Sequence, residues 1–255
     1  MADIKERYAF FLDIDNTLYV DGVVPEENIA AIGYARENGH KVFINTARSF
    51  CNMPAEINKL TVDGFITSIG TDVYIEGKHI LSEGIPVGEA AYVTDYLEDH
   101  GMSIMYEGRD MLICSRSFDI KWDDRIVPVK DGNDMIRRFG NEIIGKSFIK
   151  GIVPPDIRCF LEERFLFFQH QNYAEFSLRG YSKATGIDYV AGLYGLRLES
   201  CVAMGDSDND LDMLEHAGIA IAMGNANDKV KELCGIITCD ARDGGVAEGI
   251  RTIIG

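Results

Sequence analysis

The stretch Phe10-Phe11-Leu12-Asp13-Ile14-Asp15-Asn16-Thr17-Leu18 decides the fold of this chain. It places two carboxylates, two residues apart, in a turn after a short run of large apolar side chains. Such a run is typical of a strand buried on both faces, as in parallel sheets. Asp13 and Asp15 would then follow the carboxyl end of the strand, where open α/β sheets form their ligand crevices. Helix capping or turn formation is the ordinary alternative for the pair taken alone.

The composition indicates a protein that folds without disulfides. The 255 residues are 46% hydrophobic, which is enough for a substantial core. The six cysteines are scattered and form no C-x-x-C pair, so a reduced cytoplasmic protein is expected and no zinc site is indicated. Residues 1–8 lead into the apolar run without a signal-peptide layout, and that run is far too short to cross a bilayer. We therefore expect a cytoplasmic location and no membrane partner, while the oligomeric state stays open.

The formal net charge of -16 limits the possible ligands. Non-specific nucleic-acid binding depends on clustered Lys and Arg side chains, so a nucleic-acid partner is not expected. An anionic substrate would need a local positive site within this negative field. A metal ion or a few well-placed cations would supply it.

The order of predicted elements changes twice along the chain. From residue 10 to residue 70, apolar runs alternate with helical patterns as β-α-β-α-β, which indicates a parallel sheet with crossover helices. A hairpin pattern follows at residues 73–81, and residues 84–179 then combine helices with mostly antiparallel hairpins. Alternation resumes near Ser182. The prediction is an α/β fold, in which residues 1–83 and 180–255 form a doubly wound, Rossmann-like parallel sheet and residues 84–179 form an inserted α+β domain.

Four separated stretches each place polar groups just after a predicted strand or at a helix start. They are Asp13 with Asp15, Thr46 with Arg48, Lys183, and Asp206 with Asn209 and Asp210. Each stretch alone has an ordinary explanation, such as a turn, a cap or a solvated charge, but their joint occurrence favours one site. Carboxylate ligands without a matching His or Cys favour Mg²⁺. The stretches therefore predict a metal-assisted site for an anion.

These stretches resemble the motifs of the haloacid dehalogenase (HAD) superfamily, and within it the Cof-type phosphatases that carry a C2-type cap. Asp13-Ile14-Asp15-Asn16-Thr17-Leu18 is similar to D-x-D-G-T-L, and Asn45-Thr46-Ala47-Arg48 to T-G-R. Ser182-Lys183 is similar to S-K-G, and Gly205-Asp206-Ser207-Asp208-Asn209-Asp210 to G-D-x-x-N-D. The inserted module falls where this family carries its cap. The resemblance spans both core segments.

Two positions depart from the family pattern. Asn16 replaces the usual glycine of the first motif, and Ala47 replaces the glycine of T-G-R. Asparagine is the non-glycine residue that best tolerates a left-handed backbone, so we expect Asn16 to be accommodated. Ala47 would be less tolerated if its φ were positive, and it would change how closely a phosphate approaches its amide.

The resemblance implies a mechanism with distinct roles for two aspartates. Asp13 would attack phosphorus and form an aspartyl-phosphate, and Asp15 would act first as general acid and then as general base. The implied Mg²⁺ ligands are Asp13, the backbone carbonyl of Asp15, Asp206 and Asp210. The implied phosphate-binding residues are Ile14, Thr46, Ala47, Lys183 and Asn209. Arg48 stays open between a substrate contact and a structural ion pair.

The sequence therefore predicts a Mg²⁺-dependent phosphatase of small phosphorylated metabolites, with sugar phosphates as the leading class. Substrate selection is expected in the cap, where Glu107, Arg109 and Arg116 are candidates. Two alternatives stay open. A phosphotransferase or mutase of the phosphomannomutase type would share the aspartyl-phosphate but pass the phosphoryl group to a sugar hydroxyl. A catalytically silent binding module would keep the fold without turnover.

Overall fold

The structure, a computed structural model, describes residues 7–119 and 125–255. Contacts within the chain divide it into two compact units. The first unit runs up to Ala47 and continues through Met53–Ile80 and Ser182–Gly255. The second unit comprises Arg48–Asn52 and Leu81–Tyr181.

Strands and helices alternate along most of the described chain. The strands are, in order, β1 (Ala9–Leu12), β2 (Lys41–Asn45), β3 (Gly64–Thr67), β4 (Asp72–Ile75), β5 (Lys78–Ser82), β6 (Ile85–Pro86), β7 (Ile104–Glu107), β8 (Leu112–Ser115), β9 (Ile126–Val129), β10 (Ile143–Ile144), β11 (Lys146–Lys150), β12 (Leu166–Gln169), β13 (Tyr173–Ser177), β14 (Cys201–Gly205), β15 (Ile219–Ala222) and β16 (Ile236–Ile237). The α-helices are α1 (Glu26–Glu37), α2 (Ala55–Asn58), α3 (Val87–Asp99), α4 (Gly132–Phe139), α5 (Pro155–Glu162), α6 (Lys183–Tyr194), α7 (Leu211–His216), α8 (Asp228–Leu233) and α9 (Gly245–Ile254). Short 3₁₀ turns cover Phe50–Asn52, Ser68–Gly70, Leu198–Ser200, Asp208–Asp210 and Ala241–Asp243.

An eight-stranded sheet with the order β16-β15-β14-β1-β2-β3-β4-β5 is the basis of the first unit. The strands from β16 to β3 in this order are parallel, and β4 runs antiparallel to β3. The strand order moves outward from β1 in both directions, as in doubly wound sheets. The predicted α/β fold is confirmed, with β4 and β5 extending the sheet at one edge.

Strand β1 lies in the interior of this sheet. Its four residues, AFFL, are fully buried, because strands pair with both of its edges and both of its faces are covered. Phe10 pairs with Val202 of β14 on one side and with Val42 of β2 on the other. The Phe11 ring stacks on Phe43 at a centroid distance of 5.3 Å. The residues that follow β1 therefore emerge at the carboxyl edge of a firmly packed sheet.

Helices of the first unit pack in pairs. Helix α1 contacts α9, and Asn28 Oδ1 accepts a hydrogen bond from the Ala247 amide at 2.9 Å. Helix α6 contacts α7, and His216 Nε2 lies 2.6 Å from Asp188 Oδ1. Within residues 7–119 and 125–255, no helix combines the length and apolar character needed to cross a membrane. The pairing of α6 with α7 bears on the site, because Lys183 is the first residue of α6.

The second unit has a six-stranded sheet with the order β12-β13-β11-β7-β8-β9 and a two-stranded sheet of β6 with β10. Neighbouring strands pair antiparallel, except that β8 and β9 are parallel. Buried side chains of α3, α4 and α5 form one apolar core with sheet residues such as Tyr106, Ile149 and Phe176. Helices packed on mostly antiparallel strands give an α+β architecture.

Candidate active site

Two neighbouring parallel strands end side by side and carry the first carboxylates of the site. Leu12 at the end of β1 pairs with Met204 of β14, and the Asp13 amide donates to the Met204 carbonyl at 3.1 Å. Asp13 follows β1 directly, and Asp206 follows Gly205 at the end of β14. Parallel strands present their carboxyl ends at one edge of the sheet, so the two aspartates share that edge.

A buried lysine joins two carboxylates. Lys183 Nζ lies 2.6 Å from Asp13 Oδ1 and 2.6 Å from Asp210 Oδ1. Lys183 is 1% exposed, Asp13 is 4% exposed and Asp210 is fully buried. Charged side chains are rarely buried to this degree unless they are paired. Three widely separated stretches of sequence thus meet in one ionic cluster.

The loop after β14 holds Asp210 in place. Asp210 Oδ2 accepts hydrogen bonds from the amides of Asp206 and Ser207, at 3.0 and 3.1 Å. Gly205 permits this packing, because a Cβ there would lie 2.5 Å from Asp210 Cγ. Both carboxylate oxygens of Asp210 are therefore engaged, Oδ1 by Lys183 and Oδ2 by the loop amides.

The turn after β1 is closed by the carbonyl of Ile14, which accepts a hydrogen bond from the Leu18 amide at 2.9 Å. Thr17 Oγ1 in this turn donates to Asp206 Oδ1 at 3.1 Å, and both residues are buried. Asp15 is partly exposed in the same turn. The turn therefore ties Asp206 to β1 through Thr17 and leaves Asp15 with access to solvent.

The backbone conformation explains why Asn16 and Ala47, which replace glycines of the family pattern, are both tolerated. Asn16 adopts the left-handed region with φ 58°, as expected for an asparagine in place of glycine. Asn225 supports it by donating from Nδ2 to the Asn16 carbonyl at 2.8 Å. Ala47 is not among the positive-φ residues of the described chain, so alanine is unstrained there.

Asn45 and Thr46 mark the end of β2. Asn45 Nδ2 donates to the Lys183 carbonyl at 2.9 Å. Thr46 is buried, and its amide donates to the Ile66 carbonyl of β3 at 2.9 Å. Thr46 is among the site residues expected from the sequence, whereas Asn45 and Thr17 are not. A usable signal for Asn45 is its polar side chain at the end of an otherwise apolar run.

Two sequence-predicted residues have their described hydrogen bonds outside the buried cluster. Asn209 is exposed, and its Oδ1 accepts a hydrogen bond from Ser207 Oγ at 3.0 Å. Arg48 belongs to the second unit, where its Nη1 donates to the Asn52 carbonyl at 2.9 Å. The structure thus gives Arg48 a structural contact within its own unit, and a substrate contact stays a prediction.

The cap candidates differ in their surroundings. Glu107 is buried and accepts a hydrogen bond from Ser49 Oγ at 2.7 Å within the second unit. Arg116 pairs with Glu98 at 3.2 Å, and the exposed Arg109 donates from Nη2 to Ser82 Oγ at 3.3 Å. All three candidates therefore have structural partners, and their part in substrate selection stays a prediction.

Burial and mutual repulsion shift the titration of the cluster. Burial and the charge of Asp210 raise the pKa of Asp13 to about 8, against the lowering effect of Lys183. Burial and the charge of Asp210 also raise the pKa of Asp206 to about 6, although the hydrogen bond from Thr17 lowers it. Burial lowers the pKa of Lys183, but the charges of Asp13 and Asp210 raise it by more, so this ammonium stays protonated. The single positive charge of Lys183 therefore does not balance the buried carboxylates of Asp13, Asp206 and Asp210.

Asp13, Asp206 and Asp210 form a group that could hold a metal ion. One oxygen from each carboxylate lies within 4.8 Å of the others. When all three carboxylates are ionised, their charge exceeds that of the Lys183 ammonium by two, which one divalent cation would balance. Within the described chain, the side-chain hydrogen bonds of Asp13 and Asp206 use only Oδ1, so Oδ2 of each is available to a hard cation. The donor set fits a metal that prefers oxygen ligands.

Comparisons with known proteins agree on one family. A family model described as haloacid dehalogenase-like hydrolase matches residues 10–250. The chain is 25% identical, over 96% of its length and 96% of the relative, to the 5-amino-6-(5-phospho-D-ribitylamino)uracil phosphatase YitU of Bacillus subtilis. It is 28% identical, over 94% of its length and 93% of the relative, to the phosphatase YcsE of the same organism, which is named for the same substrate. A solved HAD subclass IIB sugar phosphatase matches 96% of this chain and 98% of its own at 22% identity, with a TM-score of 0.78, which shows the same fold.

Proposed function

Because the chain belongs to the haloacid dehalogenase-like hydrolase family, we propose that it is a Mg²⁺-dependent phosphatase of small phosphorylated metabolites. The reaction would pass through an aspartyl-phosphate on Asp13. The observation that carries this proposal is the buried contact of Lys183 with Asp13 and Asp210, beside Asp206. The family and enzyme class expected from the sequence are confirmed by the family match and by relatives that are named phosphatases.

The Mg²⁺ ligands would be the carboxylates of Asp13 and Asp206 and the backbone carbonyl of Asp15. Oxygen ligands suit Mg²⁺, which usually keeps several waters. Asp210 would support the site from outside, because Lys183 and two loop amides already engage its oxygens. The ion would supply positive charge opposite the phosphoryl oxygens and lower the pKa of the buried carboxylates.

In the first step, one carboxylate oxygen of Asp13 attacks phosphorus while the bond between phosphorus and the leaving oxygen breaks. Lys183 orients the attacking carboxylate through the 2.6 Å contact with Oδ1. Asp15 gives its proton to the leaving alkoxide. The products of this step are the aspartyl-phosphate, the free alcohol and an ionised Asp15.

In the second step, Asp15 takes a proton from a water molecule, whose oxygen bonds to phosphorus. The bond between phosphorus and the Asp13 oxygen breaks, so inorganic phosphate leaves and the Asp13 carboxylate is restored. Asp15 returns to its protonated state. A carboxyl group that exchanges a proton in each step needs access to water, which agrees with the partial exposure of Asp15.

The phosphoryl oxygens would be held by hydrogen-bond donors around the attacking carboxylate. They are the amides of Ile14 and Ala47, the hydroxyl of Thr46, the ammonium of Lys183 and the side-chain amide of Asn209. Positive charge and donors aimed at these oxygens carry most of the catalysis in phosphoryl transfer. Arg48 is a further candidate for contact with the substrate.

A sugar phosphate or a related phosphorylated polyol is the substrate class that we propose. Two Bacillus subtilis relatives that match nearly the whole chain are named for a substrate with a phosphorylated ribityl group. Their names support a small leaving group rich in hydroxyls. We propose that residues 1–83 and 180–255 form the catalytic core and that residues 84–179 form a cap that selects the leaving group.

Phosphate release from a panel of sugar phosphates and a phosphorylated ribityl compound, with and without Mg²⁺, tests this proposal. We expect Asp13→Asn to lose on the order of 10³-fold or more in kcat, because it removes the nucleophile. Asp156→Asn, at an exposed position of α5, should keep wild-type activity. Mass spectrometry after an acid-quenched single turnover should find phosphate on the peptide that contains Asp13. Full activity of Asp13→Asn would exclude this residue as the nucleophile.

The alternatives give different products in the same assays. Transfer of the phosphoryl group to a second sugar hydroxyl, without release of phosphate, would replace the phosphatase by a phosphomutase. Stabilisation of the fold by Mg²⁺ without turnover of any phosphate ester would support a silent binding module.

A further inference from the structure

Lys183 occupies a place in the fold that does not favour a cation. It is the first residue of α6, where the helix dipole and the unpaired amides favour negative charge, and its side chain is buried. A lysine ammonium sits on a long, flexible stem. The contacts of Nζ with Asp13 and Asp210 therefore depend on how firmly the backbone at residue 183 is held.

Asn45 holds the carbonyl of Lys183 from the end of β2. It is fully buried, and its Nδ2 donates to that carbonyl at 2.9 Å. Its Oδ1 has no hydrogen-bond partner among the described residues. An unpaired buried oxygen costs stability, and an apolar residue at this strand end would avoid that cost. The asparagine is therefore better explained by its bond to Lys183 than by the stability of the strand.

Asp212 holds the adjoining amide from α7. Its Oδ2 accepts a hydrogen bond from the Ala184 amide at 3.1 Å. This amide lies in the first turn of α6 and has no partner within the helix. The carboxylate also places a negative charge beside the helix end that carries the positive charge of Lys183.

The Lys183 carbonyl and the Ala184 amide belong to one peptide unit. We propose that Asn45 and Asp212 are positioning residues, which clamp this unit from two sides and thereby aim Lys183 at Asp13 and Asp210. A peptide unit is planar and includes the Cα of Lys183, so holding its carbonyl and its amide fixes that Cα. The helical backbone at Lys183 then sets the direction in which its side chain leaves α6. The inference rests on the proposed function for the role of Lys183 in phosphoryl transfer, but the clamp itself can be tested without turnover.

Chemical labelling measures the position of Lys183 directly. An amine-acylating reagent, followed by mass spectrometry of the peptide that contains Lys183, should react slowly with the wild-type side chain. Asn45→Leu and Asp212→Ala should each label this lysine about tenfold faster or more, because the ammonium then leaves its partners more often. Asp212 is only half-buried, so Asp212→Ala carries the test if Asn45→Leu does not fold.

Two further variants separate the clamp from general packing of α6 on α7. Asp212→Asn keeps an acceptor oxygen for the Ala184 amide and should restore slow labelling. Asp188→Ala removes the contact with His216 between the same two helices and should label like the wild type. Equal labelling of Lys183 in the wild type and in Asp212→Ala would overturn the proposal, whether or not the protein hydrolyses phosphate esters.

Kinetics then test whether the clamp acts through Lys183. With the best substrate of the panel, Asp212→Ala should lower kcat about tenfold with a smaller change in KM, because the attacking carboxylate loses its orienting contact. The same substitution in a Lys183→Ala background should have no further effect on kcat. Additive losses would show an independent structural role and overturn the proposal. Absence of turnover in the wild type would contradict the proposed function, and the labelling result would still decide the clamp.

Discussion

Gly70 packs so closely against the residue before Lys183 that no side chain fits. A Cβ at Gly70 would lie 2.1 Å from the Ser182 carbonyl oxygen, and φ at Gly70 is +88°. An alanine there would combine a left-handed backbone with steric overlap, so the N-terminal cap of α6 would have to move. We expect Gly70→Ala to lower kcat and to lower the thermal midpoint of unfolding by ~4 °C or more beyond the control below.

Gly39 offers the matched control for this substitution. Its φ of +87° is nearly the same, but a Cβ there would meet nothing within 4 Å. Gly39→Ala should therefore lower the free energy of unfolding only by the strain of the left-handed backbone, ~1–2 kcal/mol, and keep the wild-type kcat. Differential scanning calorimetry of the two variants separates this backbone strain from the steric overlap at Gly70. Equal midpoints would show that the contact with Ser182 does not constrain α6.

Thr17 orients the carboxylate of Asp206, which we propose as a Mg²⁺ ligand. Its Oγ1 donates to Asp206 Oδ1 at 3.1 Å, in a buried contact. Removing a group that orients a metal ligand commonly weakens metal binding ~10- to 100-fold. We expect Thr17→Val to weaken Mg²⁺ binding within this range, as measured by isothermal titration calorimetry, and Thr17→Ser to restore it. An unchanged affinity in Thr17→Val would argue against Asp206 as a ligand.

Among the elements of the first unit, α1, β2 and β3 meet at Asp63, which directly precedes β3. Its carboxylate accepts hydrogen bonds from Arg36 of α1 at 3.0 Å, from Lys41 of β2 at 2.7 Å and from the Val42 amide at 3.0 Å. Burial raises the pKa of Asp63, but these hydrogen bonds lower it by more, so the pKa lies below its usual range. The contribution to stability is therefore present above the unfolded pKa of ~3.9 and is lost as the pH falls through the folded value.

We expect Asp63→Asn to destabilise the fold by ~1–2 kcal/mol at neutral pH, and this difference should close in acid below about pH 4. Thermal midpoints of the two proteins across the acid range measure the effect. Glu162→Gln is the control, because the Arg158–Glu162 pair on α5 is 51% and 42% exposed and should contribute little. A difference in midpoint that persists unchanged in acid would contradict an ionic contribution of Asp63.

Helices and strands can be predicted from the sequence where a hydrophobic pattern extends over enough residues. The alternation over residues 10–70 predicts a helix between the first two strands, and α1 covers Glu26–Glu37 there. The sequence does not predict strands at Ile85–Pro86 and Ile143–Ile144, which are two residues long and pair with each other across the second unit. A strand of two residues is too short to show an alternation of apolar and polar side chains. Its hydrogen bonds depend on a partner that is distant in the chain.

Across the whole molecule, strand ends locate the site better than they identify its contacts. Asp13, Lys183, Asp206 and Asp210 are expected from their positions after strands or at a helix start, and they form one buried cluster. The polar side chain of Asn45 at a strand end marks it as a candidate, but its bond to the Lys183 carbonyl is not expected. That contact depends on how α6 packs on the sheet, which no local pattern in the sequence shows.

The whole chain carries a formal charge of -16, so added salt should stabilise it to some degree by screening repulsion. Bound Mg²⁺ should stabilise the fold more than added salt does, because three buried carboxylates face one ammonium. A ligand that binds only the folded state stabilises that state by mass action. At ~100 times the Kd this amounts to ~2.7 kcal/mol, or on the order of 5 °C in thermal midpoint. We expect this rise in the wild type but not in Asp206→Asn, relative to NaCl at equal ionic strength. An equal rise in both proteins would show that Mg²⁺ acts on the surface charge alone.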